Sequence, residues 1–505
     1  MNQSLTNKTL RGLHWGYVST IVNAVLQIGF TVIMARLLEP AAFGLVAMAG
    51  IILRFGGYFA QMGIGPALVQ KENLSAEDVS AAFTSCFLLS IIFFILAWLL
   101  APLSTYLFDN TAVIPIIRVM ALSFVLTGLS TTATSLLRRN LEFRFLAVID
   151  IITYGLGYGA VGVVLALNGF GVWSLVVAAL SQGVLSASLA YLVTKHSLVL
   201  RFRWSYYKGL YFYGSRISVI SFFEFIGLNL DTLAIGHLLG ATPLGIYNRA
   251  FMLVNLPMYY LTTTFSKVLF PSFSRVQSDI QRLERAYFAL LSVGATLVIP
   301  ICLGAMVASR EIVLVVLSEK WSAAIPVLQI LAVAAPFSAL AHFGGILCDA
   351  TGNLNPKLFL QIASVLVLIM LFLFLSRFGL KGFAFAVLIE EMLRSTGYIY
   401  LVGRILKVAK KELFRAHIPG LTIGVLVAGA ILFASIIMHQ VGGSIWLTLS
   451  LQLLVGASLL AVLLVFRPPH AIKQELVNRL SILFSRKDTN TYTGKLLAWY
   501  EQKLS

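Results

Sequence analysis

The chain has 505 residues, 59% of them hydrophobic and only 11% charged, with a net charge of +17. A soluble domain of this size needs far more polar surface, so soluble enzymes and soluble binding modules are excluded. Runs of about 20 apolar residues recur from end to end, each enough to cross about 30 Å of hydrocarbon as a helix, without the period-two alternation of barrel strands.

The expectation is therefore an all-α integral membrane protein of about 14 transmembrane helices. In chain order the apolar runs cover 13–35, 41–65, 81–107, 112–136, 146–168, 171–194, 214–238, 245–270, 286–308, 323–348, 357–376, 379–402, 416–438 and 443–466. Most breaks carry helix-ending residues: Glu39-Pro40, Asp109-Asn110, Asn168-Gly169, Gly352-Asn353. The first run is too long for a signal-peptide core and has no small-x-small cleavage site, so it reads as a retained span. The connection around 195–213, KHSLVLRFRWSYYKGLYFY, mixes basic and aromatic residues and suits the headgroup layer, as an ordinary interfacial loop or as a hinge. After Pro468-Pro469, Ile472, Leu476, Leu480 and Leu483 line one face of a surface-lying helix.

The basic residues orient the chain. With the N-terminus in the cytoplasm, 27 of the 37 Lys and Arg fall in inner loops and the tail, and five (Arg36, Arg310, Lys320, Arg377, Lys381) in outer loops. That asymmetry is the positive-inside rule, and one miscounted span would scramble it. The +17 charge thus marks a face turned to anionic lipid, and nucleic acid is not needed to explain it. Both termini are placed inside.

A sequence echo divides the spans. ARLLEPAAFG (35–44) closes the first run, and GHLLGATPLG (236–245) closes the seventh; Leu37, Leu38, Gly44 and Ala49 fall on Leu238, Leu239, Gly245 and Ala250. Six spans separate the copies, so both face the same way, as in a parallel repeat. The domain reading is an N-lobe of spans 1–6 (1–195), a linker (196–213), a C-lobe of spans 7–12 (214–403), an appended pair (404–466) and a basic tail (467–505).

The stretches ARLLEPAAFGLVAMAGIILRFGGYFAQMGIGPALVQ and NLDTLAIGHLLGATPLGIYNRA resemble the polysaccharide transporter family, within the wider group of multidrug extruders and the lipid II flippase. The resemblance covers roughly residues 5–465. It implies a V-shaped, two-lobed flippase or exporter that moves an undecaprenyl-pyrophosphate-linked oligosaccharide outward across the bacterial cytoplasmic membrane, in contact with membrane lipids and with polysaccharide polymerase and assembly proteins as partners. The alternatives are a cation-coupled drug extruder of the same group and a membrane-embedded glycosyltransferase or ligase. The extruder fits less well because span 1 offers Asn23 and Gln27 instead of a carboxylate; the ligase, because no loop is large enough for a catalytic domain.

Charges at bilayer depth must face water, a partner or headgroups. A phosphate-bearing cargo calls for guanidinium, whose planar donors grip phosphate oxygens in pairs. The substrate-binding candidates are Arg54, Arg118, Arg249 and Arg394. Arg54, flanked by Phe55, Gly56 and Gly57, whose small glycines leave room for a bulky ligand, either lines a cavity or pairs structurally; Arg118 and Arg249 line the cavity or snorkel. Arg394 stands four residues after Glu390, the spacing of a helical ion pair. Related flippases couple transport to a cation held by second-lobe carboxylates, so Glu224, Asp231 and Glu390 are candidates for Na⁺ or H⁺, with pairing to arginine the alternative. Arg310, Glu311, Glu319 and Lys320 read as a solvated outer loop. GLGYGAVG (155–162) reads as close helix packing. Cys86, Cys302 and Cys348 read as buried small hydrophobes. No metal site, nucleotide loop or other cofactor site is expected.

Overall fold

The computed structural model describes residues 2–61, 63–71, 74–200 and 229–466. Their regular structure is helical, with no strand among the described residues. The linker from residue 201, span 7 up to residue 228 with Arg216 and Glu224, and the tail helix lie outside the described residues.

Eleven stretches of described helix are long and apolar enough to cross a membrane. One of them, Leu354–Leu406, holds two expected spans, parted at Gly379 (φ 62°). Span 7 is described only in part. Span 8 is a continuous helix that falls outside the apolar set, since Asn248, Arg249 and Asn255 interrupt it. The protein is an all-α, multi-pass membrane protein.

The chain divides into two compact units, residues 1–248 with 316–320, and residues 249–315 with 321–505. The first contains α1 (Asn2–Leu37), α2 (Pro40–Gln61), α3 (Ile64–Gln70), α4 (Ala76–Leu100), α5 (Ser104–Phe108), α6 (Val113–Met120), α7 (Leu122–Arg139), α8 (Phe143–Tyr154), α9 (Val163–Leu167), α10 (Val172–Thr194), α11 (229–238) and the start of α12 (Ala241–Val276). Between α8 and α9 the helix widens into a π-helix over Gly155–Gly162. Its glycines serve packing: a Cβ on Gly157 would press on the Gln182 backbone, and one on Gly162 on Ala178, both in α10.

The corner between α3 and α4 is tightly capped. Ser75 Oγ accepts from the Asp78 amide, Asp78 Oδ2 accepts from the Ser75 amide, and Lys71 Nζ lies 2.6 Å from Asp78. These contacts satisfy amides that the start of α4 leaves free. Arg139, at the end of α7, donates to the carbonyls of Leu68, Val69 and Lys71, closing the other open end, that of α3.

The second unit contains the rest of α12, then α13 (Ile280–Val307), α14 (Ser309–Ile312), α15 (Ala324–Ala350), α16 (Leu354–Leu375), α17 (Gly379–Leu406), α18 (Lys410–Arg415), α19 (Ile418–Gln440) and α20 (Ile445–Phe466). Phe273, Tyr287, Leu291, Phe343, Leu347 and Val402 form its main core. The appended helix α19 lies close on α13, where Gly420 leaves no room for a Cβ beside Ala295 and Gly424 none beside Ile299.

Of the four charges expected to form a solvated mix between α13 and α15, Arg310, Glu319 and Lys320 are exposed and Glu311 is not. Glu311 is 2% exposed and accepts from Ser435 Oγ (3.4 Å), with His439 Nε2 3.3 Å away, because α14 follows α13 at once and turns this carboxylate against α19. Lys320, in the first unit, donates to the Arg36 carbonyl (2.9 Å) and lies 3.5 Å from Glu39. The three cysteines are buried and free, as expected.

Replacing Arg139 with Ala strips three carbonyls of a charged donor. It is expected to cost about 1–3 kcal/mol, seen as a lower apparent Tm in detergent, with Arg139→Lys recovering part of the loss.

Candidate substrate and ion sites

The two copies of the echo meet in space. A Cβ on Gly44 would run into the Ala241 carbonyl, and a Cβ on Gly245 into the Pro40 carbonyl, with the Gly44 nitrogen 3.1 Å away. Pro40 and Ala241 open α2 and α12, and they are matched by the offset that matches Gly44 to Gly245. Each motif therefore presents its glycine to the other's first turn. This is the reciprocal pairing of a two-fold axis, as in a symmetric dimer interface but within one chain. Around it, Gly236 packs on Phe108 and His237 Nδ1 lies 2.6 Å from the Leu107 carbonyl oxygen.

Arg54 lies about 21 Å along α2 from Pro40, deep in the span. Its guanidinium is exposed, with Nη2 3.4 Å from Asn229 Oδ1 on α11. The room expected at Gly56 is filled, for the Phe124 ring of α7 sits where a Cβ would go. Arg118 lies over the Trp98 ring at 4.5 Å and donates from Nε to the Trp98 carbonyl at 3.4 Å, near the end of α4. Arg249 lies along α12 with Nη1 3.4 Å from Met252 Sδ.

Among the acids, Asp231 Oδ1 accepts from the Thr232 amide at 2.6 Å, with the fully buried Tyr247 beside it. Glu390 and Arg394 are 3.7 Å apart, the pair that their spacing predicts. The tighter partner is Glu391, 2.5 Å away, and Arg394 also donates to Ser338 Oγ on α15 at 3.2 Å. The spacing of three between Glu391 and Arg394 was the available signal. One guanidinium thus serves two carboxylates of low exposure. Lys357 holds Asp349 at 2.5 Å, and Ser266 Oγ of α12 meets His342 Nε2 at 2.9 Å. Neither contact was legible beforehand, since each partner is alone in its own helix. Among the described residues, no group of three metal-type ligands occurs.

Repeated spanning helices and a reciprocal crossing of two helix starts define a polytopic helical membrane fold built on an internal repeat. The chain belongs to the polysaccharide biosynthesis protein family, whose model matches residues 33–326. It is 28% identical over 344 residues to the lipopolysaccharide biosynthesis protein WzxC of Escherichia coli (strain K12), covering 65% of this chain and 67% of that one. To the succinoglycan biosynthesis transport protein ExoT of Rhizobium meliloti (strain 1021) it is 29% identical over 338 residues, 66% and 67% of the two chains. Its fold is that of the lipid II flippase MurJ, solved in an inward closed conformation. The TM-score is 0.70 at 15% identity, over 88% of this chain and 97% of that one.

Val at Gly44 or Gly245 is expected to cost about 1–3 kcal/mol of overpacking, read as a lower apparent Tm. Gly29→Ala is the control, since an added Cβ there meets nothing within 4 Å.

Proposed function

We propose that the protein flips an undecaprenyl-pyrophosphate-linked oligosaccharide across the bacterial cytoplasmic membrane for surface polysaccharide synthesis. It works by alternating access through a cationic central cavity, with both termini in the cytoplasm, and hands the unit to a polymerase. On this reading it is a transporter and not an enzyme. The observation that carries it is Arg54: an exposed guanidinium deep in a span, in a chain of the polysaccharide biosynthesis family. An arginine there costs about 2.5–3.5 kcal/mol on insertion scales unless it meets water or an anion. A pyrophosphate in transit supplies the anion, and Arg249 a second donor along the route. Arg118, engaged with Trp98, borders the route at its outer end. The six-span repeat supplies the two halves on this reading.

The Glu390–Glu391–Arg394 cluster is the coupling site on this reading, and Arg394 its fixed countercharge. Two carboxylates against one guanidinium leave one negative charge, which a low-dielectric interior tolerates only with a bound proton or cation. Asp231 is a second carboxylate for the same role; Glu224 lies outside the described residues.

Arg54→Ala should leave the protein in the membrane but cut surface polysaccharide at least tenfold, with lipid-linked precursor accumulating inside. Normal export would remove Arg54 from the mechanism. Glu390→Gln keeps the Arg394–Glu391 pair and removes the surplus charge. Export by that variant in proteoliposomes should no longer respond to an imposed Na⁺ or H⁺ gradient; an unchanged response would rule the cluster out.

A further inference from the structure

Polar side chains that the flippase reading does not use share one face in the second unit. On α12, Asn255, Tyr259, Thr262 and Ser266 follow one another at helical spacing, within about 60° of each other around the axis and about 16 Å along it. Asn255 is exposed and Tyr259 is 58% exposed, although they sit in a helix of a multi-pass membrane protein. Among the described residues, neither the Asn255 amide nor the Tyr259 hydroxyl has a hydrogen-bond partner. Thr262 and Ser266 hydroxyls donate to the carbonyls of Met258 and Thr262, which leaves acceptor lone pairs on Thr262 Oγ1, and on Ser266 Oγ beside the one that meets His342. His342 Nε2 of α15 joins the row at Ser266.

His342 decides what this face meets. From Ala339 to Cys348, α15 is buried at every position except His342, which is exposed. A side chain open on so buried a helix looks into an internal space and not into lipid. Hydrocarbon against the unbonded Asn255 amide would also leave it without partners, at a cost of several kcal/mol. The adjacent face of α12, about 100° round the axis, carries Met258, Leu261 and Phe265 packed against α13 and α15, which fixes the helix's rotation and keeps the row from turning in.

We propose that this row is the wall that receives the sugar residues of the cargo, separate from the arginines that receive its phosphates. The inference rests on the flippase reading. The α12 row itself carries no carboxylate, lysine or arginine, and the cations nearest His342, Lys357 and Arg394, are already paired with Asp349 and with Glu390 and Glu391, so the row offers a pyrophosphate little. An amide can donate and accept at once, which matches neighbouring sugar hydroxyls. The Tyr259 ring gives a flat apolar face with a polar tip, suited to the C–H face of a pyranose. Hydroxyl lone pairs and an imidazole complete a surface of paired donors and acceptors. The row's length is that of a short oligosaccharide rather than one ring.

The test is binding to purified full-length protein in lipid nanodiscs, with two probes. One is undecaprenyl pyrophosphate, which has no sugar; the other is the lipid-linked oligosaccharide pool extracted from export-deficient cells of the source bacterium. Asn255→Ala with Tyr259→Ala should weaken the sugar-bearing probe at least tenfold and leave the sugar-free probe unchanged. Arg54→Ala should weaken both. Tyr259→Phe, which keeps the ring, should retain most of the affinity and covers the case in which the double variant folds poorly. Equal loss of both probes by correctly folded double variant, or loss of neither, overturns the sugar wall while leaving the flippase reading intact. If the wild-type protein binds neither probe, the flippase reading falls and this inference with it.

Discussion

Where α2 and α12 begin, backbone meets backbone, and nothing larger than hydrogen fits between them. Gly44 lies against the Ala241 carbonyl and Gly245 against that of Pro40. The constraint explains why one motif occurs twice in this sequence. A two-fold contact is self-complementary, so each side must carry both the glycine and the helix start that receives the other glycine. The offset between the copies is the same for both members, so one symmetry operation accounts for both contacts. The flanking Leu-Leu pairs are ordinary apolar residues; the glycines are the part of the echo that geometry demands. Small residues are what close approach of helices in a membrane requires, since lipid gives no hydrophobic reward for association.

The charges in the spans obey a second constraint, the cost of a bare ion in hydrocarbon. The chain meets it in three ways. Arg118 stays near the end of a span and rests on an indole face and a carbonyl. Arg394 is enclosed by two carboxylates and a serine. Arg54 reaches the amide oxygen of Asn229 at 3.4 Å, on another helix of the same unit. A ring, a pair of carboxylates and an amide are thus three different surroundings for the same guanidinium.

Much of this was legible in the sequence because it depends on sums and spacings. The helical membrane class follows from composition, and the Glu390–Arg394 pair from a spacing of four. Other features were not legible because they depend on which residues meet across the fold. Glu311 reads as solvated until α14 turns it toward Ser435 and His439. Gly56 reads as open space until the Phe124 ring fills it. GLGYGAVG was expected to pack closely and does, yet no local rule foretells that its helix widens to π geometry. Arg118 and Trp98 lie 20 residues apart on different helices, and nothing short of tertiary structure joins them.

The α12 helix shows how these constraints combine. Its polar residues keep it out of the set of helices apolar enough to cross lipid alone, yet it is continuous over 36 residues. Intrinsic apolarity is therefore not what holds it. Its glycine at Gly245 locks the first turns, and Met258, Leu261 and Phe265 bind the following turns to α13 and α15. With that face so fixed, Asn255 and Tyr259 can stay on the neighbouring face without the helix rotating. A helix held by packing is free to carry polar chemistry where an unsupported span could not. The polar face of α12 therefore depends on the apolar packing beside it and on the same glycine that crosses α2.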